Sequence, residues 1–150
     1  MKKENNERVR WLEEEEEAAL RAVIREKSPE REPEFDLALH TGMRWSEQLP
    51  QTALGEREHA YGREHRNWWK AALKESKVQD FHWHDIRHTF ASRLAMEGVN
   101  DATLQTLGRW KEPKMIRRYA YLSQQHLAEA IERIGAHSTT LFTTSKAGSL

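Results

Sequence analysis

The 150-residue chain has no cysteine, which excludes disulfides and thiolate metal sites and fits a reducing, cytoplasmic setting. It has no apolar run long enough to cross a bilayer or to form a signal-peptide core. A soluble protein without a membrane role is expected. Glycine is sparse at seven residues, and none of it forms a glycine-rich phosphate loop. Internal repeats are absent, and the length suits one modest domain. Nothing in the composition calls for a small-molecule substrate.

Net charge is also lacking, because 24 Lys and Arg residues balance 24 Asp and Glu residues. The balance is uneven along the chain. Residues 1–36 hold 8 basic and 12 acidic residues, so the remainder carries 16 against 12. Arg109, Lys111, Lys114, Arg117 and Arg118 crowd one short span, and Arg57 to Lys77 holds a looser basic group. Such clusters suit an anionic partner, with Arg109, Lys111 and Lys114 the expected contacts.

Hydrophobic periodicity predicts a mainly α fold. Glu13–Glu17 ahead of Leu20, Val23 and Ile24 reads as a helix with acids in its first turn. The Ser28-Pro29 and Glu32-Pro33 pairs break it, and a second helix covers Glu34 to His40. Thr41-Gly42 turns the chain before a segment starting at Met43. Residues 49–67 show neither helical nor strand periodicity and read as irregular, with order returning at Trp68. Asp85 to Glu97 is a strong helix ended by Gly98. Asn100 or Asp101 caps a short helix stopped by Gly108. Pro113 starts another, and Ser123 caps a last one, striped by Leu127, Ala130, Ile131 and Ile134 and ending at Gly135. The expected organisation is a polar segment over 1–10, a domain over 11–135 and a flexible tail over 136–150.

Within this frame the stretch His84-Asp85-Ile86-Arg87-His88 supports two chemistries. Two histidines four apart on a helix, with an acid after the first, approach a zinc-hydrolase pattern. No glutamate or histidine follows at the spacing of a third ligand, so no metal is expected. Alternatively, His84 and Arg87, three apart on one helical face, can address a phosphate. Thr41-Gly42-Met43-Arg44-Trp45-Ser46-Glu47 precedes this stretch, and Leu107-Gly108-Arg109-Trp110 and then Arg118-Tyr119-Ala120 follow it.

These four motifs, in this order, resemble the catalytic domain of tyrosine recombinases, the phage-integrase family of site-specific DNA recombinases, from about Arg8 to Ile134. The resemblance implies a site of Arg44, His84, Arg87, Trp110 and Tyr119. The chemistry is intelligible from the residue types. Two arginines offer planar forks of donors to the oxygens of a phosphodiester as charge builds on them. His84 can move a proton at neutral pH, and the Trp110 indole N–H is a donor that stays neutral. Tyr119 would be the nucleophile, its phenol helped to ionise by surrounding positive charge. Tyr121 competes for that role, but the family's nine-residue step from its Trp/His position selects Tyr119.

The resemblance further implies a covalent phosphotyrosine, no cofactor, and assembly with other recombinase protomers. The family also has a small antiparallel sheet carrying a lysine between the first two motifs, and an N-terminal helical domain. Here the interval is short, and Lys70, Lys74 and Lys77 match no hairpin position. The chain is therefore expected to be a mainly α remnant of the catalytic domain, truncated and with the sheet largely missing. Two rivals remain: an inactive DNA-binding protein that interferes with an intact recombinase, and a zinc-dependent hydrolase at His84 and His88.

Overall fold

A computed structural model describes residues 9–48 and 56–144, with side chains described for 9–48 and 62–135. Every element among them is helical: α1 (Glu14–Lys27), a 3-10 turn (Pro29–Arg31), α2 (Glu32–Thr41), α3 (Trp45–Gln48), α4 (Glu56–Ser76), α5 (Trp83–Met96), α6 (Asp101–Gly108), a 3-10 turn (Pro113–Met115) and α7 (Arg117–Thr144). The mainly α expectation holds.

Local chemistry explains the boundaries. At the start of α1, the Glu13 backbone N–H donates to Glu16 Oε2 at 3.1 Å, and four glutamates sit in the first turn, where the helix dipole favours them. The His82 backbone N–H donates to Asp85 Oδ2 at 2.7 Å and fixes the start of α5. Asn100 Oδ1 accepts the Thr103 N–H at 2.9 Å at the head of α6. Gly42 ends α2 at φ 64°, a left-handed conformation that glycine adopts without strain.

Three sequence expectations are corrected. The irregular reading of 49–67 fails from Glu56 onward, because α4 begins there; residues 49–55 lie outside the described part. α4 is strongly polar, and its apolar face is carried by Trp68, Trp69 and Ala72 near its end, so its first turns show little periodicity. The break at Ser123 is absent, since α7 runs through it and through Gly135 to Thr144. The tail assigned to 136–150 is therefore helical in backbone as far as Thr144, and 145–150 lie outside the described part.

Two apolar clusters hold the helices together. The first joins Leu20 and Ile24 of α1, Phe35 and Leu39 of α2, and Trp69 of α4 to Phe81 and Ile86. The second joins Ala91 and Ala95 of α5, Leu104 of α6 and Ile116, Tyr119 and Leu122 near the start of α7. α5 contributes to both, its first turns to one and its last to the other. Polar ties reinforce it: the Leu12 N–H donates to Thr89 Oγ1 at 2.9 Å, and Arg93 meets Glu17 at 2.6 Å. Burial alone would raise the Glu17 carboxyl, but Arg93 and Arg21 outweigh it and hold the group below its ordinary range. In the interval where the resemblance implied a sheet, α4 packs Trp69 and Ala72 into the first cluster. Beyond Leu122, α7 leaves Leu127, Ile131 and Ile134 exposed.

Phe35 is fully buried against Trp69, with ring centroids 6.2 Å apart, whereas Leu37 two residues on is 41% exposed. In urea unfolding, Phe35→Ala is expected to lower stability by about 3–5 kcal/mol and Leu37→Ala by less than about 0.5 kcal/mol.

Candidate functional site

α5, the α2–α3 turn, the segment after α6 and the first turn of α7 place the predicted site residues. Arg87, on the second turn of α5, is 5% exposed. Its Nη1 donates to the Gly42 carbonyl at 2.8 Å and its Nη2 to the Gly108 carbonyl at 2.5 Å. The guanidinium therefore bolts the α2–α3 turn, which carries Arg44, to the end of α6, which leads to Trp110. The Trp110 ring lies against it, 4.7 Å from the guanidinium carbon to the centroid. Burial pushes the Arg87 pKa down, and the like charge of Arg44 adds to that.

The two glycines that accept from Arg87 are shaped by the same contacts. A Cβ at Gly108 would stand 1.6 Å from the Trp110 ring, and one at Gly42 would stand 2.6 Å from Phe90. Only glycine lets these carbonyls approach the guanidinium with the rings in place.

Arg44 is exposed, and its backbone N–H donates to Glu47 Oε2 at 2.8 Å. Arg44, His84 and Arg87 line one cleft of about 310 Å³, with Met43, Trp45, Ser46, His65 and Trp83. His84 and Arg87 thus share a face of α5, as their spacing predicts. The Tyr119 ring lies near that of Trp110, with centroids 5.9 Å apart. Arg44, His84, Arg87, Trp110 and Tyr119 therefore form one continuous group, although 75 residues separate its ends.

Tyr119 departs from expectation. It is 1% exposed, a member of the second apolar cluster, and its hydroxyl lies 2.5 Å from His88 Nδ1. Burial pushes its phenol up to about 12, against the lowering effect of Arg118 and Arg87. The positive surroundings are present, but desolvation outweighs them. Burial also pushes the His88 imidazole down to about 4, and the neighbouring His84 ring, 5.3 Å away, adds to the effect. His88 is thus neutral at physiological pH, and in the tautomer with its proton on Nε2 its Nδ1 accepts from the phenol.

His88 is what sequence reasoning missed. Its i, i+4 relation to His84 suggested a metal pair, and nothing in the sequence pointed across to α7. Asp85, the acid of the zinc-like pattern, caps the helix, and among the described residues no group of three His, Cys, Asp or Glu side chains is placed to hold a metal ion. Sequence reasoning also passed over His65. It is 6% exposed at the wall of the cleft, with Nδ1 2.8 Å from Glu34 Oε1 and its ring 4.7 Å from that of Trp45.

The basic residues Arg109, Lys111 and Lys114 are exposed beside Trp110. Arg109 is left-handed at φ 55°, closing α6, and Lys114 pairs with Glu112 at 2.7 Å.

Comparison with known proteins bears on this arrangement. The model of the phage integrase family matches residues 1–126. The integrase of Salmonella phage P22 is 47% identical over 66 residues, which cover 44% of this chain and 17% of that protein. An integrase of Saccharopolyspora erythraea is 32% identical over 69 residues, 46% of this chain and 16% of the relative. A shufflon-specific DNA recombinase of Escherichia coli is 26% identical over 68 residues, 45% of this chain and 18% of the relative. The chain thus spans less than a fifth of the length of these relatives. No solved structure matches it. No helix among the described residues is long and apolar enough to cross a membrane.

Two outcomes follow. Arg87→Lys keeps the charge but loses the fork, so one glycine carbonyl goes unbonded, and urea unfolding should show a loss of about 1–3 kcal/mol. Because the folded His88 pKa lies below the ordinary 6.5, the unfolded chain binds the extra proton first. The contribution of neutral His88 is full above pH about 6.5 and is lost as pH falls toward about 4. Denaturant midpoints should drop across that window, and less steeply in His88→Asn.

Proposed function

Because the chain belongs to the phage integrase family, we propose that it is the strand-transfer part of a site-specific DNA recombinase. It grips one phosphodiester of double-stranded DNA and attacks it with Tyr119. The observation that carries this reading is the convergence of Arg44, His84 and Arg87 on one cleft, with Trp110 close to both Arg87 and Tyr119. Four separate segments of chain meet there, and their residue types suit a phosphate whose charge grows during attack.

Arg44, exposed at the cleft, draws the phosphate in, while Arg87 supplies fixed positive charge at the back of the cleft. As the Tyr119 oxygen bonds to phosphorus, the bond to the departing DNA oxygen breaks, and His84 at the cleft hands that oxygen a proton. The product is a phosphotyrosine, which keeps the phosphoryl group activated for rejoining to a new DNA end. Arg109, Lys111 and Lys114 beside the site would lie along the backbone and make binding fall steeply with salt. Complete recombination joins two duplexes, so further protomers of the same kind are the expected partners.

The burial of Tyr119 favours a second reading, a chain that binds duplex DNA without cutting it. One experiment separates the two. Protein is incubated with a pool of random-sequence nicked duplexes and run under denaturing conditions to trap covalent adducts. The expected result is an adduct from the wild type and none from Tyr119→Phe, with duplex binding unchanged between them. An adduct that survives Tyr119→Phe overturns the assignment of the nucleophile. Salt-sensitive binding with no adduct from either protein supports the second reading.

A further inference from the structure

We propose that His88 is the proton acceptor for Tyr119 during attack on the phosphate. The proposal rests on the strand-transfer reading and adds a residue to it. Its basis is geometric: Tyr119 Oη on α7 stands 2.5 Å from His88 Nδ1 on α5. A nucleophile bonded to an imidazole is the arrangement by which weak oxygen nucleophiles are activated.

The two elements that meet here fix the pair. His88 lies one residue beyond Arg87 on α5, and Arg87 is locked by the Gly42 and Gly108 carbonyls. Tyr119 lies in the first turn of α7 with its ring in the apolar cluster beside Ile116 and Leu122. Neither side chain can wander without disturbing packing. The charged and titratable groups around His88 are His84, Asp85 and Arg87 on α5 and Arg118 and Tyr119 on α7. Burial above all, with His84, Arg118 and Arg87, outweighs the pull of Asp85 and keeps the imidazole neutral over the physiological range.

The proton balance is as follows. In the His88 tautomer protonated at Nε2, the Tyr119 O–H bond breaks as the Oη–P bond forms, and the proton passes to His88 Nδ1. The P–O bond to the departing DNA oxygen breaks, and that oxygen takes its proton from His84. In the resting protein the phenol holds its proton far more firmly than His88 would. That order reverses during the reaction, because an oxygen bonding to phosphorus gives up electron density and becomes a strong acid. A weak base is then sufficient, and the incoming phosphate charge favours the imidazolium. The two histidines that looked like a metal pair divide the proton work instead, His88 toward the nucleophile and His84 toward the leaving oxygen.

The test uses adduct formation on the random-sequence nicked duplex pool, with thermal melts and duplex binding as controls. His88→Asn keeps a polar side chain able to accept the phenol hydrogen bond but unable to take up its proton. With melt and DNA binding near those of the wild type, its rate of adduct formation is expected to fall at least about 100-fold. A rate within about threefold of the wild type overturns the proposal. A second measurement needs no variant: the wild-type rate should fall at acid pH in step with protonation of His88, followed by its imidazole NMR signal in the same protein. A rate that stays flat through that titration also overturns it. Absence of any adduct from the wild type removes the strand-transfer reading itself, an outcome distinct from adducts that form equally well without His88.

Discussion

The Arg87 guanidinium is the point on which the site depends. It is buried, and two of its N–H groups reach backbone carbonyls from segments distant in sequence, Gly42 before α3 and Gly108 at the end of α6. A buried cation is tolerated only where its donors are satisfied, and each of these charge-assisted bonds is stronger than a neutral one. The Trp110 ring covers the guanidinium and leaves no room for a side chain at Gly108. One side chain thereby sets the relative positions of Arg44, on one anchored turn, and Trp110, just past the other. The order of dependence runs from Arg87 to the glycines, from the glycines to the turns, and from the turns to the cleft.

The same anchoring explains how a helical fold holds a site of this kind. α5 runs between two apolar clusters and presents Ile86 to one and Ala91 and Ala95 to the other. Arg87 and His88 fall on the turn between them, where a polar pair can be buried because carbonyls and a phenol are at hand. α4 closes the first cluster with Trp69, whose ring meets Phe35, Phe81 and Trp83. Large aromatic faces supply there much of the apolar area that a helix rich in charge would otherwise lack.

Much of this was legible in the sequence, for definite reasons. α1, α2, α5 and α6 announce themselves because apolar periodicity, caps and glycine stops agree with one another. Arg44, His84, Arg87, Trp110 and Tyr119 could be named because four short motifs, in order, resemble those of a known family. α4 was not legible before Trp68: its opening turns carry charge and no apolar stripe, and tertiary packing at its other end overrides the missing periodicity. The continuity of α7 was hidden because Ser123 is a good cap only where the chain turns, and nothing local says that it does not. Burial was the least legible property. Arg118, Arg87 and the neighbouring bases suggested an easily ionised phenol, yet the sign of the shift follows from Ile116, Leu122 and the helices packed around them. The contact between His88 and Tyr119 joins residues 31 apart, and no periodicity encodes it.

Placing Tyr119 in a core cluster makes one residue serve two purposes that pull against each other. The ring belongs to the packing of α5, α6 and α7, which favours keeping it dry. In the proposed reaction the hydroxyl must meet a phosphate. Desolvation therefore protects the resting phenol from ionising, and any force that uncovers it also removes part of the cause of its raised pKa. Arg118 and Arg87, whose charges are outweighed in the closed state, would then act with less opposition. A DNA phosphate that displaces the cover would both supply the reacting partner and sharpen the nucleophile. On the proposed reading, packing around Tyr119 holds its reactivity back in the resting protein.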